Sequence, residues 1–162
     1  MTSRNQLRGS RKRSSGQSLA EFAIVFPVLM LVLGGIIQFG VIFWAQNTLT
    51  QVVRDTGRWA ATQQICDTGP ARTAILATAN SIALQSSLIG YTAGEFDLTN
   101  TTIEWPAQPA PHDTDPCPPA DNQDIRYVTI TIEHNAPIFF PFVPGNGQLS
   151  SSTDFRMEPK PQ

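Results

Sequence analysis

A lone carboxylate stands at the entrance to a long apolar segment of this 162-residue chain. Glu21 follows Gly16 by five residues and directly precedes the apolar run that begins at Phe22. A carboxylate at a membrane edge is unfavourable without a partner. Cutting after Gly16 would create one, because the new α-amino group of Gln17 lies one helical turn from Glu21, in the same chain or in a neighbouring subunit. A cut between Gly16 and Gln17 would therefore explain the position of Glu21, as the partner of the released amine.

The element that must position these residues is a helix long enough to cross a bilayer. Residues 22–53 are 32 residues without a charge, and residues 22–45 are almost wholly apolar. A helix of 24 residues is about 36 Å long, whereas the hydrocarbon core of a membrane is about 30 Å thick. The sequence predicts a transmembrane helix over residues 17–46 and excludes an ordinary soluble single domain.

The sequence allows two alternative roles for each of two residues inside this span. Pro27 removes a backbone donor and leaves the carbonyl of Ala23 without its usual partner, which predicts a helix kink or a place where helices pack. Gln38 is the one strongly polar side chain in residues 22–45. It could bond across to a neighbouring helix or to the backbone of its own helix.

The charge distribution predicts the orientation. Residues 1–16 carry five basic side chains and no acidic one, whereas residues 62–162 carry four basic and eleven acidic side chains. The excess of positive charge before the span places the N-terminus in the cytoplasm. We expect a disordered cytoplasmic leader over residues 1–16 and an extracytoplasmic domain over residues 47–162. A cleaved secretory signal is the alternative, but the apolar core is too long and no small-x-small site follows it.

The two cysteines, Cys66 and Cys117, both fall in the external portion. A disulfide can form and persist there, and pairing these two is the simplest interpretation. Two free thiols remain the alternative, because geometry decides whether the bond can form.

The external portion begins with helical periodicity. The first helix should continue to about Gln64 and become amphipathic, with Arg54, Asp55 and Arg58 facing away from a stripe formed by Leu49, Val53 and Trp59. A second helix should begin near residues 68–70 and end by Gly90. It is expected to pack on the first.

The later sequence changes to a period of two residues. Residues 127–133 and 153–158 alternate between apolar and polar side chains, which predicts two strands pairing antiparallel. Residues 96–105 are either two short strands or one strand with a bulge near Asn100. The predicted fold class is therefore α+β, with a long N-terminal transmembrane helix, a second packed helix and a small antiparallel sheet.

Two connections complete the domain. Residues 106–119 are rich in proline and predict a surface loop. Residues 136–147 predict a wide hairpin connection with an exposed apolar patch that includes Phe139, Phe140 and Phe142.

The sequence lacks the common motifs of enzyme active sites. No nucleophile motif or phosphate-binding glycine loop occurs, and His112 and His134 are expected at the surface. The cluster His112, Asp113, Asp115, Asp121 and Asp124 lacks the regular ligand positions of a calcium loop and is expected to be a solvated loop. We expect no enzyme activity, no cofactor and no metal. The acidic exterior argues against nucleic-acid binding.

Gly16 followed by Glu21 and an apolar helix resembles the processing site of type IV prepilins. A fuller set of segments resembles the TadE-like pseudopilins of bacterial tight-adherence (Flp) pilus systems. These segments are residues 16–29, Gln38-Phe39-Gly40, Thr48-Leu49-Thr50 and Gly57-Arg58-Trp59-Ala60-Ala61. The resemblance covers about residues 14–64 well, and residues 128–132 and 155–158 are similar less specifically.

The resemblance implies a minor pilin or pseudopilin, a structural or assembly component of a Flp-type pilus in the bacterial inner (cell) membrane. Its implied partners are a prepilin peptidase, other pilins or pseudopilins, the inner-membrane platform of the pilus machine and the lipid bilayer. The alternative from the residues alone is a single-pass membrane anchor that carries an extracytoplasmic binding or sensor domain.

Overall fold

The computed structural model describes residues 15–63, 69–105, 126–140 and 147–157. These form a 48-residue helix α1 (Ser15–Thr62), a second helix α2 (Gly69–Gln85) and three strands, β1 (Thr101–Glu104), β2 (Arg126–Asn135) and β3 (Gln148–Met157). The α+β class is confirmed.

The three strands form one antiparallel sheet in the order β1-β2-β3. Val128 lies opposite Phe155, and Ile103 lies opposite Ile130. The predicted antiparallel pairing of the two alternating segments is therefore confirmed. Of the alternatives for residues 96–105, neither is right, because only Thr101–Glu104 pairs as a strand and Phe96 enters the core from a loop.

The core lies between the C-terminal half of α1, helix α2 and one face of the sheet. Leu49, Val52 and Val53 of α1 are fully buried, as are Ile75 and Ala79 of α2. Arg54, Asp55 and Arg58 are exposed, as the amphipathic pattern predicts. The stripe predicted on the external half of α1 is covered by β3, β2 and α2.

Glycine at position 57 allows the sheet to approach α1 closely. A Cβ added at Gly57 would lie 2.0 Å from Cε2 of Phe155, a distance that real side chains do not tolerate. The ring of Phe155 on β3 therefore occupies the space that any larger residue would fill.

The loop that joins α2 to β1 is fastened by Asn80. Its amide nitrogen donates to the carbonyl of Phe96 at 2.8 Å, and its amide oxygen accepts from the Phe96 N–H at 3.1 Å. The Tyr91 hydroxyl donates to the same amide oxygen. Because this one side chain satisfies both backbone groups of Phe96, the loop can enter the core without stranding polar atoms.

The prediction that His134 lies at the surface is wrong. The residue is 2% exposed at the end of β2. Its Nδ1 lies 2.8 Å from Oε1 of Glu95, and its Nε2 lies 2.8 Å from the carbonyl oxygen of Ile89. His134 continues the buried alternation of Val128, Ile130 and Ile132, so the strand period contained the signal that the sequence analysis missed.

Candidate processing and membrane-entry site

The residues of the predicted cleavage site lie in the first turns of α1. The Gln17 side-chain amide donates to Oε1 of Glu21 at 3.1 Å, and both side chains are exposed. Residues four apart on a helix share one face. The carboxylate therefore lies one turn above the residue whose α-amino group a cut after Gly16 would release.

Glycine at position 16 has no structural reason within the described part of the chain. The residue is exposed, and an added Cβ would meet no heavy atom within 4 Å. It contrasts with Gly34 and Gly57, where an aromatic ring fills the space beside the glycine. Within the described part of the chain, packing therefore does not require glycine at position 16.

The N-terminal part of α1 is bare. All residues from 16 to 33, here named the uncovered arm, are exposed. These 18 residues form about 27 Å of helix, and the apolar run that begins within them at Phe22 continues to Ala45. Only 11% of the most apolar 18-residue window of the helix is buried. A core helix of a soluble domain would be mostly buried, so this arm has the properties of a membrane anchor.

Pro27 lies within the uncovered arm, and α1 runs through it as one helix. The exposed faces around it include Phe26 and Val28, at 40% and 62% exposure. The predicted kink or packing role of Pro27 stays a prediction.

Gln38 has a partner that the sequence analysis did not consider. Its amide nitrogen donates to the carbonyl of Pro137 at 3.1 Å, and its amide oxygen accepts from the Phe139 N–H at 2.8 Å. The side chain is 0% exposed. It therefore bonds to neither a neighbouring helix nor its own helix, but to a segment about a hundred residues later in the chain.

The remaining predicted sites lie outside the described residues. Both Cys66 and Cys117 do, as does the whole cluster around His112. Among the described residues, no group of three histidine, cysteine or acidic side chains is placed to hold a metal ion.

These features define a class of protein: one N-terminal apolar helix of membrane-spanning length, whose second half carries a small α+β domain. Residues 16–58 match the family model of the TadE-like proteins. The match covers the predicted cleavage site, the uncovered arm and Gly57, and it confirms the resemblance over that part of the chain. The match supports the interpretation of this chain as a membrane protein associated with tight-adherence (Tad) pili. No curated protein and no solved structure matches the chain.

Proposed function

We propose that this chain is a TadE-like minor pilin or pseudopilin, a membrane-anchored structural or assembly component of a Flp-type pilus that a prepilin peptidase cuts between Gly16 and Gln17. The observation that carries the proposal is the Gly16–Glu21 spacing at the bare end of an apolar helix. The family match over residues 16–58 supports the same function.

In this proposal the chain is the substrate of the peptidase and has no catalytic activity of its own. Its N-terminus faces the cytoplasm and its α+β domain lies outside the inner membrane, in accord with the five basic residues before the span. Cutting removes those charges and leaves an amine beside Glu21. The partners are then other pilins or pseudopilins and the inner-membrane assembly platform, which the apolar arm meets within the bilayer.

The test is the intact mass of the protein made with and without a prepilin peptidase. We expect the peptidase to remove a mass equal to residues 1–16. Gly16→Val should block the loss, because a peptidase that accepts only glycine before the cut has no room for a side chain.

Gly9→Val is the matched control, because Gly9 also lies in the basic leader but is followed five residues later by Ser14 rather than an acid. This variant should be cut normally. Normal processing of Gly16→Val, or retention of the leader by the unaltered protein when the peptidase is present, would overturn the proposal and favour a membrane-anchored binding domain.

A further inference from the structure

An apolar loop lies beside the membrane helix. Residues 137–140, here named the apolar loop, follow β2 and contain Ile138 and Phe139, which are 41% and 61% exposed. The neighbouring part of α1 is also apolar where it is open: its exposed side chains are Ile36, Ile37, Phe39, Phe43 and Trp44. The loop and this helix surface together carry no charge.

Two contacts hold the apolar loop against α1. Gln38 bonds to the Pro137 carbonyl and the Phe139 N–H, as described above. One turn lower, the ring of Phe140 packs over Gly34, where an added Cβ would lie 2.7 Å from Cδ1 of the ring. The position of the loop along α1 is therefore known to within a turn.

That position lies inside the predicted hydrocarbon layer. Gly34 and Gln38 follow Glu21 by 13 and 17 residues, which places them about 20 and 26 Å along the helix. If Glu21 marks the inner edge of a hydrocarbon core about 30 Å thick, both residues lie within the outer leaflet. Gln46 donates to the Ser150 carbonyl at 3.1 Å, and at about 38 Å from Glu21 this polar contact lies beyond the hydrocarbon.

Three backbone groups of the apolar loop, the Pro137 carbonyl and the N–H groups of Phe139 and Phe140, bond to the side chain of Gln38. Polar backbone groups in lipid must find partners within the protein. Proline at 137 has no N–H, its carbonyl accepts from Gln38, and the Phe139 N–H donates to the same side chain. The buried amide of Gln38 and the backbone groups that it contacts thus supply one another's hydrogen bonds. Without these bonds, each group would be costly to place in an apolar medium.

We propose that the apolar loop inserts into the outer leaflet of the membrane that α1 crosses, with lipid acyl chains covering Ile138 and Phe139. The α+β domain then contacts its own helix α1 inside the bilayer through the apolar loop. This contact holds the domain close to the membrane surface. This proposal depends on the membrane span of α1 and not on the pilin function. A negative result in the cleavage experiment would therefore not contradict it.

The test uses the photoreactive residue p-benzoylphenylalanine in the full chain, reconstituted at high dilution in vesicles of phosphatidylethanolamine and phosphatidylglycerol. Placed at position 139, and separately at 138, it should yield after illumination a protein heavier by one phospholipid. Position 22 of the uncovered arm is the positive control, since Phe22 is 61% exposed, as Phe139 is.

Tyr127 is the matched negative control, because it is 41% exposed, as Ile138 is, but lies at the opposite end of β2. No lipid adduct is expected there. A lipid adduct at 22 with none at 138 and 139 would overturn the proposal, as would adducts at 138 and 139 to a second copy of the chain in place of lipid. Equal lipid adducts at 127 and 139 would also contradict it.

Discussion

Glu21 is the residue on which the proposed function most depends. An amine and a carboxylate about 4 Å apart attract by about 4 kcal/mol at an effective dielectric of about 20, and desolvation at the membrane edge cancels part of this. Among the described residues, the uncut chain offers Glu21 one hydrogen bond, from the exposed side chain of Gln17. Its contribution should therefore come after cleavage.

Glu21→Ala is expected to be cut normally but to recover less of its partner pilins in a pull-down, because the released amine has lost its counter-charge. Glu21→Gln is the sharper variant, since it retains the shape and hydrogen bonding of the side chain and removes only the charge. Wild-type recovery of partners by cleaved Glu21→Gln protein would exclude the ion pair.

His134 has a hydrogen-bond partner on each ring nitrogen. Its Nε2 must donate to the Ile89 carbonyl, so the remaining proton between Nδ1 and Glu95 lies on one or the other partner. Removing the carboxylate leaves a buried ring nitrogen unpaired, which costs about 1 to 3 kcal/mol. Glu95→Ala should lower the free energy of unfolding of the full chain in micelles by about that amount.

Glu95→Gln is the matched control, because its amide can donate to Nδ1 of a neutral imidazole and preserve both hydrogen bonds. It should cost much less than Glu95→Ala, as measured by the same denaturant titration. Glu95 also accepts from the Thr92 N–H at 3.0 Å, so equal losses for the two variants would mean that the loss does not come from the His134 contact.

The hydrogen bonds of Asp97 predict that the stability of the fold depends on pH. The Thr99 hydroxyl and then the Thr99 N–H donate to its carboxylate, and these bonds hold the pKa of Asp97 below its ordinary value of 3.8. A lowered folded-state pKa contributes stability that is present above the unfolded pKa and is lost as the pH falls through the folded pKa. The difference in thermal midpoint between the unaltered protein and Asp97→Asn should be largest near neutral pH and shrink below about pH 4. A difference that grows on acidification would contradict the sign.

At the scale of elements, the contact between Gly57 and Phe155 sets the distance between α1 and the sheet. Gly57→Ala gains helix propensity of about 1 kcal/mol, but an added methyl overlaps the ring, and overpacking of this kind costs about 1 to 3 kcal/mol. With an approach of 2.0 Å, we expect net destabilisation in a thermal melt.

Gly40→Ala is the control, because a Cβ there meets nothing within 4 Å and should be neutral or stabilising. Phe155→Leu in the Gly57→Ala background should recover part of the loss, since the smaller side chain vacates the space. Additive effects of the two substitutions would show that they do not act through this contact.

At the scale of the whole molecule, the ends of the described segments bear on the predicted Cys66–Cys117 bond. The Arg72 guanidinium of α2 lies 5.0 Å from the ring centroid of Trp105, so the start of α2 is beside the end of β1. The segment with Cys66 leads into α2, and the segment with Cys117 follows Trp105. The described residues that follow Cys66 and precede Cys117 in the chain are therefore close together.

We predict that these cysteines are paired in protein from the external face of the membrane. The bond would close a loop of about 50 residues and contribute about 3 to 5 kcal/mol by restricting the unfolded chain. Alkylation before reduction should label neither cysteine, whereas alkylation after reduction and denaturation should label both. Two thiols labelled in the natively purified protein would refute the pairing.

Local periodicity in the sequence determined most of the elements. The 3.6-residue pattern predicted α1 and α2 to within a few residues. The two-residue alternation predicted β2 and the second half of β3, which begins five residues earlier than the predicted strand. Composition alone identified the membrane-spanning length of α1. These features depend on neighbours a few residues away, which a single sequence contains in full.

Only the tertiary structure decided where the buried polar residues find their partners. Gln38 bonds to Pro137 and His134 to Glu95, across 99 and 39 residues of chain. No local pattern specifies such a pair, because a buried polar group needs only some acceptor or donor and the fold decides which one arrives. For the same reason the sequence could place Gln38 in the membrane span, but only the fold could bring the apolar loop to it.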